Sequence, residues 1–265
     1  MVSLVLFIII LGTIVLIHEL GHFLFAKLFG VYVYEYSIGM GKKIYSKKSK
    51  NSETEYNLRI FPIGGFVRLA GEEGEDGDNS VPLDRKLYKK GFWQRFLIFF
   101  MGPGFNMLLA FVVLFVSCLL FTGSTTTLTI DEIPTDYPAY EAGLREGDVL
   151  LEVEGKKVST WTQARLEMST LEVGESIEFK VKKENGSIET IEVSPKEETL
   201  EDGTTTYIYG IVSKQEIYKG LIGSIKYAYI ETKNIILSMG TTLKFLFTGN
   251  LGINDLSGPV GIYMQ

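Results

Sequence analysis

IVLIHELGHFLF, residues Ile14 to Phe25, sets two histidines and a glutamate inside a run of apolar side chains. Each ionisable group placed in hydrocarbon costs roughly 2.5–3.5 kcal/mol on insertion scales, so a cluster of three needs a compensating role. His18-Glu19-Leu20-Gly21-His22 has the pattern H-E-x-x-H. Residues four apart stack on one helix face, so the two imidazoles can grip a single Zn2+ as metal ligands. Glu19, one residue round the helix, reaches a water rather than the metal. In that division of labour Glu19 is the catalytic base, taking the proton of the attacking water and passing it to the leaving amine. Coincidence is the alternative, and it leaves three ionisable groups in an apolar helix with nothing to do.

Outward from the triad, Met1–Ile17 is apolar except for Ser3, Gly12 and Thr13, and a second block, Phe96–Phe121, carries no charge. Each block is long enough to span a hydrocarbon core of ~30 Å at ~1.5 Å per residue. Of the 265 residues, 46% are hydrophobic and 22% charged, and the two kinds are segregated along the chain. The first block lacks the basic start and the small-residue cleavage site of a signal peptide. Cys118 is the only cysteine, which excludes an internal disulfide, and His18 and His22 are the only histidines. A net charge of −6 argues against nucleic acid as a partner.

The expected organisation is a transmembrane helix over 1–30, a polar strand-rich loop over 31–95, a second transmembrane helix over 96–122, a small soluble α/β domain over 123–213, and amphipathic membrane-surface helices over 214–265. Strand signals are VYVYEYSI and TEYNLRIF in the loop, and TLTIDEI, DVLLEVEG, SIEFKVKK and IETIEVS in the soluble domain, with TWTQARLEMSTL as its helix. EEGEDGDN reads as a solvated acidic loop. Lysines and arginines crowd both ends of the 31–95 loop, whereas none occurs between Phe96 and Arg145. The positive-inside rule then makes the loop cytoplasmic and the 123–213 domain extracytoplasmic, with the triad toward the cytoplasmic side.

Two further features have more than one reading. Gly64 and Gly65, in FPIGGFVRL, form either an ordinary hairpin turn or a point of close backbone approach. In GPGFN, Pro103 kinks the second helix and Asn106 puts an amide in the membrane, either as a packed, satisfied group or as part of the site.

With HELGHFLFAKLFGV, YSIGMGKKIYS, TEYNLRIFPIGGFVRLAGE, GPGFN, PAYEAGLREGDVLLEVEGKKV and LSGPVGI in this order, the chain resembles the site-2 protease family of intramembrane zinc metalloproteases, in its bacterial PDZ-containing branch. The resemblance implies an α-helical multi-pass membrane protein with an inserted α/β PDZ domain and a membrane-associated β-hairpin loop, in the bacterial plasma membrane. It implies Zn2+ as cofactor and single-span membrane proteins, such as anti-sigma factors and signal-peptide remnants, as substrates cut within the bilayer. Gly64, Gly65 and Asn106 become candidate substrate-binding residues, the glycines in a hairpin edge that holds an extended substrate by β-addition. The PDZ domain becomes either a size filter or a peptide binder.

A zinc protease site needs three protein ligands. By the resemblance the third is the aspartate of a Leu-Asp-Gly motif on a later helix, and no such motif occurs in this chain; Asp255 does not match it. The expectation is a chain cut short before its last two transmembrane helices, with weak zinc binding and little turnover. The alternative is a catalytically dead pseudoprotease or membrane-anchored PDZ adaptor. A protease with H-E-x-x-H in a cytoplasmic domain fits less well, because here the motif lies inside the first span.

Overall fold

The computed structural model describes residues 2–48, 52–72, 80–172, 174–199 and 205–249. The acidic tract at 73–79, the LSGPVGIYMQ segment and Asp255 lie outside the described residues. Two compact units divide the chain between Phe111 and Val112.

The first unit opens with α1 (Val2–Leu28). Val5, Ile9, Ile10 and Ile14 are exposed along it, a surface suited to lipid and not to water. The helix ends in a Schellman motif: Gly30 takes φ +67°, its N–H donates to the Lys27 carbonyl, and the Val31 N–H donates to Ala26 at 2.8 Å. Two long antiparallel strands follow, β1 (Val33–Lys48) and β2 (Glu55–Leu69).

The register shows more than a simple hairpin. Tyr36 lies opposite both Val67 and Tyr56, Ser37 opposite both Phe66 and Asn57, and Lys47 opposite Tyr56. The strands therefore fold over, so that 35–38 runs between 65–68 and 55–58, and 43–48 flanks 55–59 on the far side. Glycines with positive φ sit where the strands turn: Gly39 (+84°), Gly41 (+88°) and Gly64 (+86°). A Cβ at Gly39 would lie 2.4 Å from the Phe61 carbonyl oxygen. Gly64 and Gly65 both lie within β2, Gly64 where the chain turns between the 55–59 and 65–69 stretches.

A charged core holds this folded hairpin. Glu35 is buried and pairs with Arg59 Nη2 at 2.6 Å, with Ser37 donating a short hydrogen bond to the same carboxylate. Burial pushes the Glu35 carboxyl up, but the hydrogen bonds from Ser37 and Arg59 outweigh it and hold the group at about 2. The hairpin is tied to α1 at two levels. The Phe23 and Tyr36 rings stand 5.0 Å apart, and Glu53 bridges Lys27 and Arg85, each at 2.7 Å.

The second long helix, α2 (Phe92–Leu120), starts four residues before the uncharged block and runs on through Pro103. Its extra turn is locally paid for by Gln94, whose Oε1 accepts the Gly91 N–H at 3.0 Å, and Phe92 and Trp93 are exposed there as interfacial aromatics are. Both α1 and α2 are long and apolar enough to cross a membrane.

The second unit is mixed α/β. Its strands are β3 (Gly123–Ile130), β4 (Val149–Val153), β5 (Lys156–Lys157), β6 (Ile177–Lys182), β7 (Ile188–Val193), β8 (Lys196–Thr199), β9 (Thr205–Ile208) and β10 (Ser213–Tyr218). Three helices accompany them: α3 (Pro138–Glu141), α4 (Trp161–Met168) and α5 (Gly220–Thr248). The main sheet is antiparallel in the order β10-β3-β4-β6-β7, with β5 on β4. Its inward residues, among them Ile130, Leu150, Val153, Phe179 and Val181, pack with Leu144 and Ala164 in one core. Asp148 closes the turn before β4, accepting the Arg145 N–H at 2.9 Å and pairing with Lys183 at 2.8 Å.

Two boundaries differ from the sequence reading. The sheet does not end at 213, because β10 completes it by pairing with β3 through Tyr218. Residues 220–248 form one continuous helix instead of more than one; Lys226, Glu231, Lys233 and Lys244 are good helix formers and leave it unbroken.

The Glu35–Arg59 pair yields a pH prediction. A carboxyl held below its unfolded value stabilises the fold above that value, near 4.5, and loses the contribution as pH falls toward about 2. Limited proteolysis of the hairpin in detergent should therefore stay slow at pH 7 and quicken between pH 4.5 and pH 2. Arg59→Ala leaves the buried carboxylate with Ser37 and the more distant Lys43, at 3.7 Å, and should cost roughly 3 kcal/mol at pH 7. Equal cleavage of wild type and Arg59→Ala at pH 7 counts against the pair as the hairpin's tie.

Candidate active site

The triad lies where α1 meets α2 with almost no side chains between them. Gly21 is buried, and a Cβ there would fall 2.0 Å from the Met101 carbonyl oxygen and 3.1 Å from the Gly102 nitrogen. Such backbone-to-backbone contact is open only to small residues. Gly102 answers from α2. A Cβ on it would lie 2.4 Å from His22 Nε2 and 2.8 Å from His18 Nε2, so both rings aim Nε2 at the space that a side chain would fill. The two imidazoles meet edge to face, with centroids 4.8 Å apart.

The opposite ring nitrogens are also engaged. His22 Nδ1 is 2.7 Å from the Ile98 carbonyl oxygen. A carbonyl only accepts, so Nδ1 carries the proton, and the neutral ring keeps its Nε2 lone pair for a metal. His18 Nδ1 meets the Asn106 side-chain amide at 3.3 Å. This arrangement fits two of the three protein donors that zinc takes in a hydrolytic site. Among the described residues, no group of three His, Cys, Asp or Glu side chains could hold a metal ion.

Glu19 faces β2. It takes a hydrogen bond from the Val67 backbone N–H, and a Cβ at Gly65 would be 3.6 Å from its Cγ and 2.7 Å from the Ser37 carbonyl oxygen. Residues 65–69 pair on one side with 33–38, and among the described residues no strand pairs with their other edge. A cavity of about 340 Å³ opens beside this edge, with Glu19 and His22 on one wall and Phe66, Val67, Ile98 and Phe99 around it. A carboxylate base, one of the two imidazoles and an unpaired strand edge thus share this cavity, and Glu72 adds a second carboxylate to its lining.

Of the sequence candidates, His18, Glu19, His22, Gly65 and Asn106 come together here. Gly64 does not: the space at its Cα is met by the Met40 side chain at 3.0 Å, and it turns the strand. Sequence reasoning missed Gly102, although a glycine inside a helix costs about 1 kcal/mol and so signals a close approach. It also missed the Ile98 carbonyl and the Val67 N–H. Backbone groups carry no residue signature, and only the packing reveals them.

The profile of Peptidase family M50 matches residues 6–265. A Clostridium acetobutylicum protein named as a zinc metalloprotease is 35% identical over 98% of this chain and 73% of its own length. Zinc metalloprotease RasP of Geobacillus kaustophilus is 28% identical over 98% of this chain and 78% of its own, and the regulator of sigma-W protease RasP of Bacillus subtilis is 28% identical over 97% and 78%. The matches run through both units, and the triad lies within the matched region. The chain belongs to peptidase family M50, among the zinc metalloproteases related to the bacterial RasP-type site-2 proteases.

Proposed function

We propose that the chain is an intramembrane zinc endopeptidase that cuts single-span membrane proteins. The observation that carries the reading is the convergence of two Nε2 atoms on the space at Gly102, with Glu19 and an unpaired strand edge beside them. Zn2+ bound by His18 and His22 would act as a Lewis acid on the scissile carbonyl and make water a usable nucleophile near neutral pH. Glu19 takes the proton from the attacking water and delivers it to the leaving nitrogen. The edge at 65–69 addresses the substrate's conformation: a transmembrane helix hides its carbonyls in internal hydrogen bonds, and pairing with an edge strand holds the segment extended.

Topology follows from charge. The 31–95 loop is cytoplasmic, the 123–213 domain extracytoplasmic, and the protein resides in the bacterial plasma membrane. The 123–213 domain, with its antiparallel sheet and the AGLREGD turn before β4, serves as a PDZ domain that filters substrates by the size of their outer portion. A non-catalytic adaptor is the second reading. It is favoured by the observation that, among the described residues, no third metal donor joins His18 and His22.

Expressed from its native gene in bacterial membranes, the protein should release the cleaved portion of a single-span test substrate. Glu19→Gln should cut that rate by about 10²–10⁴-fold, the usual worth of a general base, while leaving zinc bound; cleavage surviving this substitution would sink the mechanism. Gly102→Ala provides an independent check. Its added methyl group enters the space between the imidazoles, so purified protein should lose its zinc by elemental analysis while remaining in the membrane. A wild-type protein that neither cleaves nor retains zinc establishes the adaptor.

A further inference from the structure

Asn106 is half-buried on α2, and its amide contacts the ring nitrogen of His18 that does not face the convergence point. Only one side of the amide can be on the ring. If the NH2 group is there, it donates to Nδ1. His18 must then carry its proton on Nε2, aimed into the space beside Gly102, and cannot ligate. If the carbonyl oxygen is there, it accepts from Nδ1–H, and Nε2 presents a lone pair. As placed, with the NH2 group on the ring, the far amide oxygen is buried without a donor. His22 supplies the precedent in the same site, with Nδ1 held by the Ile98 carbonyl at 2.7 Å. Asn106 and Ile98 lie eight residues apart on α2, about two helical turns, so one helix offers an acceptor to each imidazole.

We propose that Asn106 is a positioning residue that faces His18 with its carbonyl oxygen, fixing the Nδ1–H tautomer and leaving Nε2 free for a metal. The inference rests on the zinc reading of the site for its purpose, but the tautomer can be observed without zinc. Orienting partners of this kind usually contribute 10–100-fold to metal affinity.

The test exploits the presence of only two histidines. In metal-free protein labelled with 15N-histidine, the ring nitrogens give two sets of signals, assigned with His18→Asn. Both rings should show a protonated Nδ1 and an unprotonated Nε2. Asn106→Leu should move the His18 proton toward Nε2 while the His22 signals stay in place, which also shows that the helices remain packed. In a separate titration, Asn106→Leu should weaken Zn2+ binding by about 10–100-fold. A protonated Nε2 on wild-type His18, or a His18 ring indifferent to Asn106→Leu, overturns the assignment. Wild-type protein with both rings protonated at Nδ1 but without affinity for Zn2+ supports the positioning role and defeats the metalloprotease reading, so the two failures are distinct.

Discussion

The absence of two side chains is the constraint on which the site depends. Gly21 lets α1 rest on the backbone of α2 at Met101, and Gly102 leaves both imidazoles a common space. Glycine inside a helix costs about 1 kcal/mol relative to alanine. Here that cost is offset by close packing in an environment where the hydrophobic effect cannot drive helices together. Moved apart by the width of one methyl group, the helices would separate His22 from the Ile98 carbonyl and His18 from Asn106. Ligand geometry and helix packing are one interaction seen from two sides.

The hairpin is subject to the opposite demand. It must present an unpaired strand edge beside Glu19 without that edge being free to pair at random, a hazard of exposed strands. Its rigidity comes from polar groups. Glu35, Arg59 and Ser37 make a buried charged core, and Glu53 binds the hairpin's base to Lys27 at the end of α1. Strand 65–69 is thus fixed at both ends of its neighbour, and its open edge lies over the cavity. The glycines within β2 serve different ends. Gly64 bends the strand, whereas Gly65 brings backbone against Glu19.

Much of this was legible in the residues, because strong local rules governed it. H-E-x-x-H spacing placed both imidazoles on one face, uncharged blocks gave α1 and α2, and alternation gave β3, β4, β6 and β7. Gly30, where α1 stops, is the residue a Schellman end calls for. The folded-over course of β1 and β2 was not legible, since each of residues 35–38 pairs on both sides and period-two alternation says nothing about how many partners a strand has. The single helix at 220–248 was obscured by its charges, which broke the apolar pattern without breaking the helix. At the site, sequence gave side chains with distinctive chemistry and missed the Ile98 carbonyl and the Val67 N–H, which any residue could have supplied.

The salt bridge that ends α1 has a consequence for what such an enzyme can measure. Lys27, held by Glu53 at 2.7 Å, marks the level at which the helix meets polar surroundings. His18 lies nine residues earlier, which at 1.5 Å per residue is about 14 Å of helix. The triad is therefore hung along α1 at a distance from Lys27 fixed by residue count. On the proposed protease reading, such a site works as a ruler: the bond it reaches in a spanning segment is set by distance from the membrane surface, and side-chain preference only refines the choice.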